Sequence, residues 1–384
     1  MQYDFDEIKS YGAEDIPAAM ERLCSEKQFM KVVSTLFPLM PKETLRQKML
    51  SFKSTSDFQK QLVVPFLQYL EGNMTSGIDF NGVENIDLSK KYLFISNHRD
   101  IILDSAFLGG KLIENGVDTM EIAIGDNLLV YPWIKDLVRV NKSFIVQRGL
   151  TPHGMLESSH RLSAYIRYAL TEKHQSVWIA QREGRAKDSD DRTQESLLKM
   201  LAMSGNSSLV ENLKELNICP LSISYEYDPC DFLKAKEFQQ KRDDPNYKKT
   251  TRDDLLNMET GVMGYKGKVT YHFSGNINDE LDKITQQTKV KNLQAQLVAQ
   301  LIDKHIHANL KILSNNKIAY DLLTNSSRFA DRYSPTDVNS FENYIDKQIR
   351  KIDLESKDRY FLRTKILEMY ANPLINNMEA SIQR

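Results

Sequence analysis

Within "ISNHRDIILDSAFL", residues 95–108, one histidine and two aspartates stand close enough for proton chemistry: His98, Asp100 and Asp104. An imidazole, with an ordinary pKa near ~6.5, can take a proton from an alcohol near neutral pH. An aspartate hydrogen-bonded to its other ring nitrogen fixes the tautomer and stabilises the imidazolium that forms. Such a base also needs groups that hold the substrate, and two later turns supply them. "NKSFIVQRG" ends in Gln147-Arg148-Gly149, and "VWIAQREGRAKD" ends in Arg182-Glu183-Gly184-Arg185-Ala186-Lys187. Glycine lets a backbone approach a ligand closely, and arginine forks match phosphate oxygens in bidentate fashion. Together these residues predict a phosphate clamp beside His98.

The tripeptide His98-Arg99-Asp100 invites a different reading, the catalytic loop of a protein kinase. That loop needs an Asn five residues past its Asp to hold magnesium against the phosphates, and Ser105 stands there instead. The chain has no Gly-rich loop and no VAIK strand, and its nearest approach to DFG, "DFNG" at 79, lies upstream of the tripeptide. The kinase reading is rejected.

The elements around these residues explain how they would be positioned. Short apolar runs occur at "KYLFIS" (91–96), "TMEIAIG" (119–125), "KSFIVQ" (142–147), "SVWIAQ" (176–181), "CPLSISY" (219–225) and "KVTYHFS" (268–274). Runs of this length, bounded by turns and separated by helical periodicity, predict strands buried on both faces of a largely parallel sheet. One intervening helix, roughly 155–172, sets Leu156, Leu162, Ile166, Ala169 and Leu170 on one face. The expected fold is α/β: a largely parallel mixed sheet flanked by helices, with N-terminal and C-terminal helical segments. The expected divisions are a helical segment 1–87 without strand pattern, an α/β domain 88–280 and a helical segment 281–384. "KEFQQKRDDPNYKKTTRDD" (236–254) is dense in charge and reads as an exposed insertion between the last two strands. Each candidate residue then follows a strand end, where open α/β sheets place their ligands.

Composition bounds the possibilities. The chain has 384 residues and is 41% hydrophobic, ample for a sizeable core, while 51 basic against 52 acidic residues give no global field for nucleic acid. Cys24, Cys219 and Cys230 show no CxxC spacing, so neither a disulfide framework nor a metal site is expected, and a reducing cytoplasm fits. The acidic start "MQYDFDEIKSYGAEDIP" is not expected to be a secretory signal. No apolar run reaches the ~18 residues a spanning helix needs, so contact with a membrane is expected to be peripheral.

The ordered set "SNHRDIILD", "NKSFIVQRG", "QREGRAKD" and "CPLSISYEYDP" resembles the four blocks of the glycerolipid acyltransferases, the glycerol-3-phosphate and 1-acylglycerol-3-phosphate acyltransferases of the NHxxxxD type. The resemblance covers roughly residues 88–280. It implies transfer of a fatty acyl group from acyl-CoA or acyl carrier protein to a hydroxyl of glycerol-3-phosphate or 1-acylglycerol-3-phosphate, in phospholipid biosynthesis. His98 would be the general base and Asp104 its orienting partner. Asn97, Arg148, Glu183, Gly184, Arg185 and Lys187 would bind substrate, and Pro220 would shape the strand beside them. No cofactor, metal or nucleic acid is implied; the partners are the thioester donor, the glycerol phosphate or lyso-lipid acceptor, and the inner face of a membrane.

The family usually places four residues between His and Asp, whereas this chain places five, with Leu103 at the standard position. Asp100 is a rival partner; Asp104 is preferred because "DSAFL" matches the family's Asp followed by a small-and-apolar helix. The third block lacks a residue between Gly184 and Arg185, which leaves Arg182 or Lys187 to share the phosphate role. Other readings stay open: another lyso-lipid or a hydroxylated acyl-amino-acid as acceptor, or a lipid-binding protein without turnover. His305 and His307 fall on different helix faces and predict no shared metal. "LLVYPWIKDLV" (128–138) reads as core or acyl channel, and "LVVPFLQYL" (62–70) as core or membrane-surface contact.

Overall fold

The computed structural model describes residues 3–382. Its centre is a seven-stranded sheet: β1 (Ile78–Asn81), β2 (Leu93–Ser96), β3 (Glu121–Gly125), β4 (Ser143–Val146), β5 (Val177–Ala180), β6 (Ile218–Tyr225) and β7 (Val269–Phe273). The spatial order is β1-β7-β6-β2-β5-β3-β4. β2, β3, β4, β5 and β6 all run parallel, with Leu93 opposite Val177 on one side and Ile218 on the other. β7 runs antiparallel to β6 and carries β1 beside it in parallel. The α/β expectation with a largely parallel mixed sheet is therefore borne out.

Burial explains why the strands read as continuous apolar runs. Alternate residues of β2 enter two different cores: Leu93 and Ile95 on one face, Phe94 on the other. The first face is covered by the Pro152–Thr171 and Lys291–Ala308 helices, and the second by the Val64–Met74 and Leu103–Glu114 helices. Each such side chain gains about 1.5–3 kcal/mol from leaving water, so neither face tolerates a polar stripe. Two satellite cores complete the molecule. The N-terminal helices Ile16–Ser25, Lys27–Leu36 and Lys42–Leu50 enclose one, and the Asp231–Asp243, Ser314–Thr324, Pro335–Lys351 and Arg359–Ile382 helices enclose the other.

Two expectations change. β1 lies inside the stretch 1–87 expected to be helical: as a four-residue edge strand with one neighbour and polar Asp79 and Asn81, it lacks the apolar run that marked the others. The charged stretch 236–254 is not a plain exposed insertion. It runs from the Asp231–Asp243 helix into the Thr251–Met263 helix, and Glu237 and Gln239 within it are buried. The second helix opens on a capping box, Thr250 with Asp253. The segment 128–138 resolves toward core: Trp133 and Leu137, in the Pro132–Val140 helix, pack on the N-terminal core.

Candidate active site

Four of the five parallel strands end at the same edge in the candidate residues or their partners: β2 runs into His98, β4 into Arg148, β5 into the turn 181–187, and β3 into Gly125-Asp126. Asp126 Oδ2 accepts from the Arg148 backbone N–H at 3.2 Å, which ties the end of β4 to that of β3.

After β2 the chain turns into the Leu103–Glu114 helix, whose Leu103, Phe107, Leu108 and Leu112 are buried on the sheet. Asp104 sits in its first turn, where a negative charge suits the helix dipole. Its Oδ2 collects three donors: His98 Nδ1 at 2.8 Å, the Arg99 backbone N–H at 2.6 Å and the Asp100 backbone N–H at 3.0 Å. An oxygen that accepts two fixed amides keeps its acceptor role toward the ring, so Nδ1 carries the proton and Nε2 is left with its lone pair. The imidazole side chain is 14% exposed and meets the Trp178 ring edge-on at 5.6 Å. Trp178 is held in turn by its Nε1 donating to Ser96 Oγ at 3.0 Å.

Of the two aspartates, Asp104 is the one whose carboxylate meets the His98 ring. Asp100 Oδ1 instead accepts from the backbone N–H groups of Ile102 at 2.9 Å and Leu103 at 2.7 Å, satisfying two orphan donors at the helix start. Burial first, then the neighbouring Asp104 charge, pushes the Asp100 carboxyl up, against the pull of Arg185. Tyr271 donates to the Asp104 carbonyl at 2.9 Å, and burial followed by the Asp104 charge raises the phenols of both Tyr225 and Tyr271 well above their ordinary range. Lys266, buried nearby, is pushed down to about 8 by desolvation even with Asp100 pulling the other way.

The cationic side is built differently. Arg148 and Glu183 meet at 3.3 Å, with 34% and 67% of their side chains exposed, so the second and third blocks touch through a solvated ion pair of small energetic worth. Gly184 adopts φ +70° with open space where a Cβ would stand, the left-handed turn that aims Glu183 and Arg185 apart. Arg185 donates from Nη2 to Asn257 Oδ1 at 3.1 Å, while its Nη1 is buried without a partner among the described residues. Burial works against its charge, but Cys230, Asp100 and Asp228 together outweigh it, and its pKa is raised. The buried Nε of Arg182 also has no partner among the described residues.

Two expected substrate contacts are otherwise engaged. Asn97 is fully buried, its Nδ2 donating to the Ile223 carbonyl and its Oδ1 accepting the Ile223 N–H, both at 2.8 Å. It laces the end of β2 to β6, as a backbone-mimicking amide can. Lys187 spends its ammonium on Glu237 of helix 231–243, and burial lowers its pKa despite that partner.

Asn257 and Gly261 were not anticipated. At Gly261 an added Cβ would lie 2.0 Å from Asp100 Oδ2, so helix 251–263 presses its backbone directly on the loop that carries His98 and Asp100. The sequence signal was the Thr250–Asp253 capping box ahead of an apolar spacing, masked by the surrounding charge. His305 pairs with Glu280 and His307 with the Asp191 carbonyl, so they serve different neighbours as expected. Among the described residues no three His, Cys, Asp or Glu side chains cluster at metal-holding spacing, and no helix is long and apolar enough to cross a membrane.

Residues 77–224 match the family model described as Acyltransferase. No curated protein sequence matches the chain. Among solved structures, the 1-acyl-sn-glycerophosphate (LPA) acyltransferase PlsC from Thermotoga maritima aligns at 12% identity over 74% of this chain and 95% of its own. Its TM-score of 0.34 is too low to transfer a residue or a substrate. The matched span holds β1 to β5, most of β6, the His98–Asp104 pair and both cationic turns. The resemblance read from the four blocks is thus supported over residues 77–224, the part of this chain that matches an acyltransferase family model.

Proposed function

We propose that the chain is a glycerolipid O-acyltransferase that acylates a hydroxyl of glycerol-3-phosphate or 1-acylglycerol-3-phosphate from acyl-CoA or acyl carrier protein, in phospholipid synthesis. The observation that carries the reading is the His98 Nδ1–Asp104 Oδ2 bond of 2.8 Å, which leaves Nε2 as the free base. Nε2 takes the hydroxyl proton as the oxygen attacks the thioester carbonyl, and Asp104 stabilises the imidazolium. The tetrahedral intermediate then expels the thiolate, which takes the proton back from Nε2, so an ester and a thiol are formed and the base is regenerated.

Arg148, about a third exposed beside Glu183, and Arg185, with one nitrogen unpaired among the described residues, supply cation for the acceptor phosphate. Leu150, Met155 and Leu156 stand exposed just past Arg148. They support contact with the cytoplasmic face of a membrane, where a lyso-lipid acceptor and the product reside.

The test is product identification by mass spectrometry after incubating the purified protein with mixed acyl donors and either acceptor. His98→Ala is expected to lower turnover ~10²–10⁴-fold, the usual worth of general-base help. Near-normal transfer by that variant would overturn the mechanism.

A further inference from the structure

Arg99, the middle residue of the misleading tripeptide, has no place in the chemistry above. Its backbone N–H makes the 2.6 Å bond to Asp104 Oδ2, the shortest of the three that hold that oxygen. Its side chain forms an ion pair with Asp191, with only 6% and 1% of the two side chains exposed. Asp191 lies 92 residues further on, in the loop that leads from the third block to the Glu195–Leu201 helix.

That loop is gripped from the far side by the C-terminal segment. His307 Nε2 lies 2.7 Å from the Asp191 carbonyl, and Asp303 Oδ1 accepts both the N–H and the hydroxyl of Thr193 at 2.8 and 2.6 Å. From the Arg359–Ile382 helix, Asn372 donates to the Asp188 carbonyl at 2.8 Å, and Asn376 accepts from Arg192 at 2.9 Å. A continuous chain of contacts therefore runs from helices 291–308 and 359–382, through residues 188–193 and the buried pair, to the amide beside His98.

We propose that Arg99 and Asp191 are positioning residues: their buried ion pair fixes the Arg99 amide against Asp104, and the C-terminal helices thereby take part in orienting the His98–Asp104 dyad. The physical reason is that a loop amide can move by tenths of an ångström at little cost unless its side chain is anchored. A misplaced orienting carboxylate impairs proton transfer without touching substrate. Because a buried charge left alone is costly, removing one partner also tests the fold, so a conservative variant and a paired one are both needed.

The experiment compares Arg99→Lys with the double variant Arg99→Met, Asp191→Leu, which removes both charges, using the full chain and the acyl-transfer assay above. Folding is checked by circular dichroism and thermal melting. Positioning predicts that each folded variant loses ~10-fold or more in kcat while the KM values for donor and acceptor stay within about two-fold, since no substrate contact changes. It also predicts that Arg99→Lys costs less than about two-fold when added to Asp104→Asn, because its effect passes through Asp104.

Folded variants with kcat within two-fold of the parent overturn the proposal. So does an effect that simply multiplies with that of Asp104→Asn. Failure of both variants to fold assigns the pair a purely structural role and overturns it too. The proposal rests on the His98 base, whose own failure is distinguishable: His98→Ala would then keep turnover in the same assay whatever the Arg99 variants do.

Discussion

His98 finds Asp104 six residues away, across a single turn, whereas Arg185 and Lys187 find their partners on helices that follow β6 in the chain. The proton-handling side of the site is a local structure, set by one strand end and one helix start. The cationic side is assembled from distant elements, and Lys187 and Glu183 already hold ion-pair partners of their own. A side chain's type reveals a possible role only when its partners are near in sequence. Where they are distant, charge in a turn can equally serve a neighbouring helix.

The sharpest way to break this contrast is to exchange the two aspartates' roles. Asp104→Asn removes the negative charge that stabilises the imidazolium and puts an amide N–H₂ beside the ring, and it is expected to lower kcat/KM by about 10²–10⁴-fold with the fold retained. Asp100→Asn keeps a side-chain oxygen for the Ile102 and Leu103 amides and is expected to cost less than about ten-fold. The two also differ in pH dependence. Asp100's folded pKa is raised, chiefly by burial, so its contribution is intact at low pH, below the ordinary carboxyl range, and is lost as pH rises through the folded value. Asp100→Asn, always neutral, should match the parent's urea midpoint at low pH and exceed it at pH 8. A midpoint below the parent's at pH 8 would show that the ionised carboxylate stabilises the loop instead.

This contrast also explains what the sequence revealed. Six strands were legible because burial gives them unbroken apolar runs, the edge strand β4 included, and β1 was not because polar Asp79 and Asn81 interrupt its short run. The His98–Asp104 pair was legible because helix 103–114 begins between them. The Asn97 contact to β6 was not legible, because its partner, Ile223, lies 126 residues away in the chain. Arg99 and Asp191 were invisible for the same reason of distance. Helix 251–263 was concealed because its capping box and apolar positions sit behind a run of charge, although it carries Asn257 and Gly261 to the site.

Within the cationic side, exposure should order the effects. Arg148 is about a third exposed and its present partner, Glu183, is more exposed still, so a phosphate can displace that carboxylate at little cost. Losing one charge-assisted contact, worth about 1.5–3 kcal/mol, should raise KM for a phosphorylated acceptor ~10–100-fold in Arg148→Ala, with kcat changed far less. An acceptor without a phosphate should show no difference between parent and variant. Equal losses with both acceptors would remove Arg148 from phosphate binding.

The smallest effect is expected at Lys187. Its ammonium is bound to Glu237, whose carboxylate also holds Lys241 at 2.9 Å, so removing Lys187 does not strand the acid. Desolvation lowers the Lys187 pKa, and leaving Glu237 to reach a phosphate would expose that acid to an anion of like sign. Lys187→Met, which keeps the apolar stem, should therefore change acceptor KM by less than about two-fold and stability by less than about 1 kcal/mol in urea titration. A ten-fold rise in KM for phosphorylated acceptors alone would mean that Lys187 exchanges Glu237 for substrate. The cationic turn would then be a switchable cluster, and the difference between the two sides of the site would lie in their dynamics as much as in their wiring.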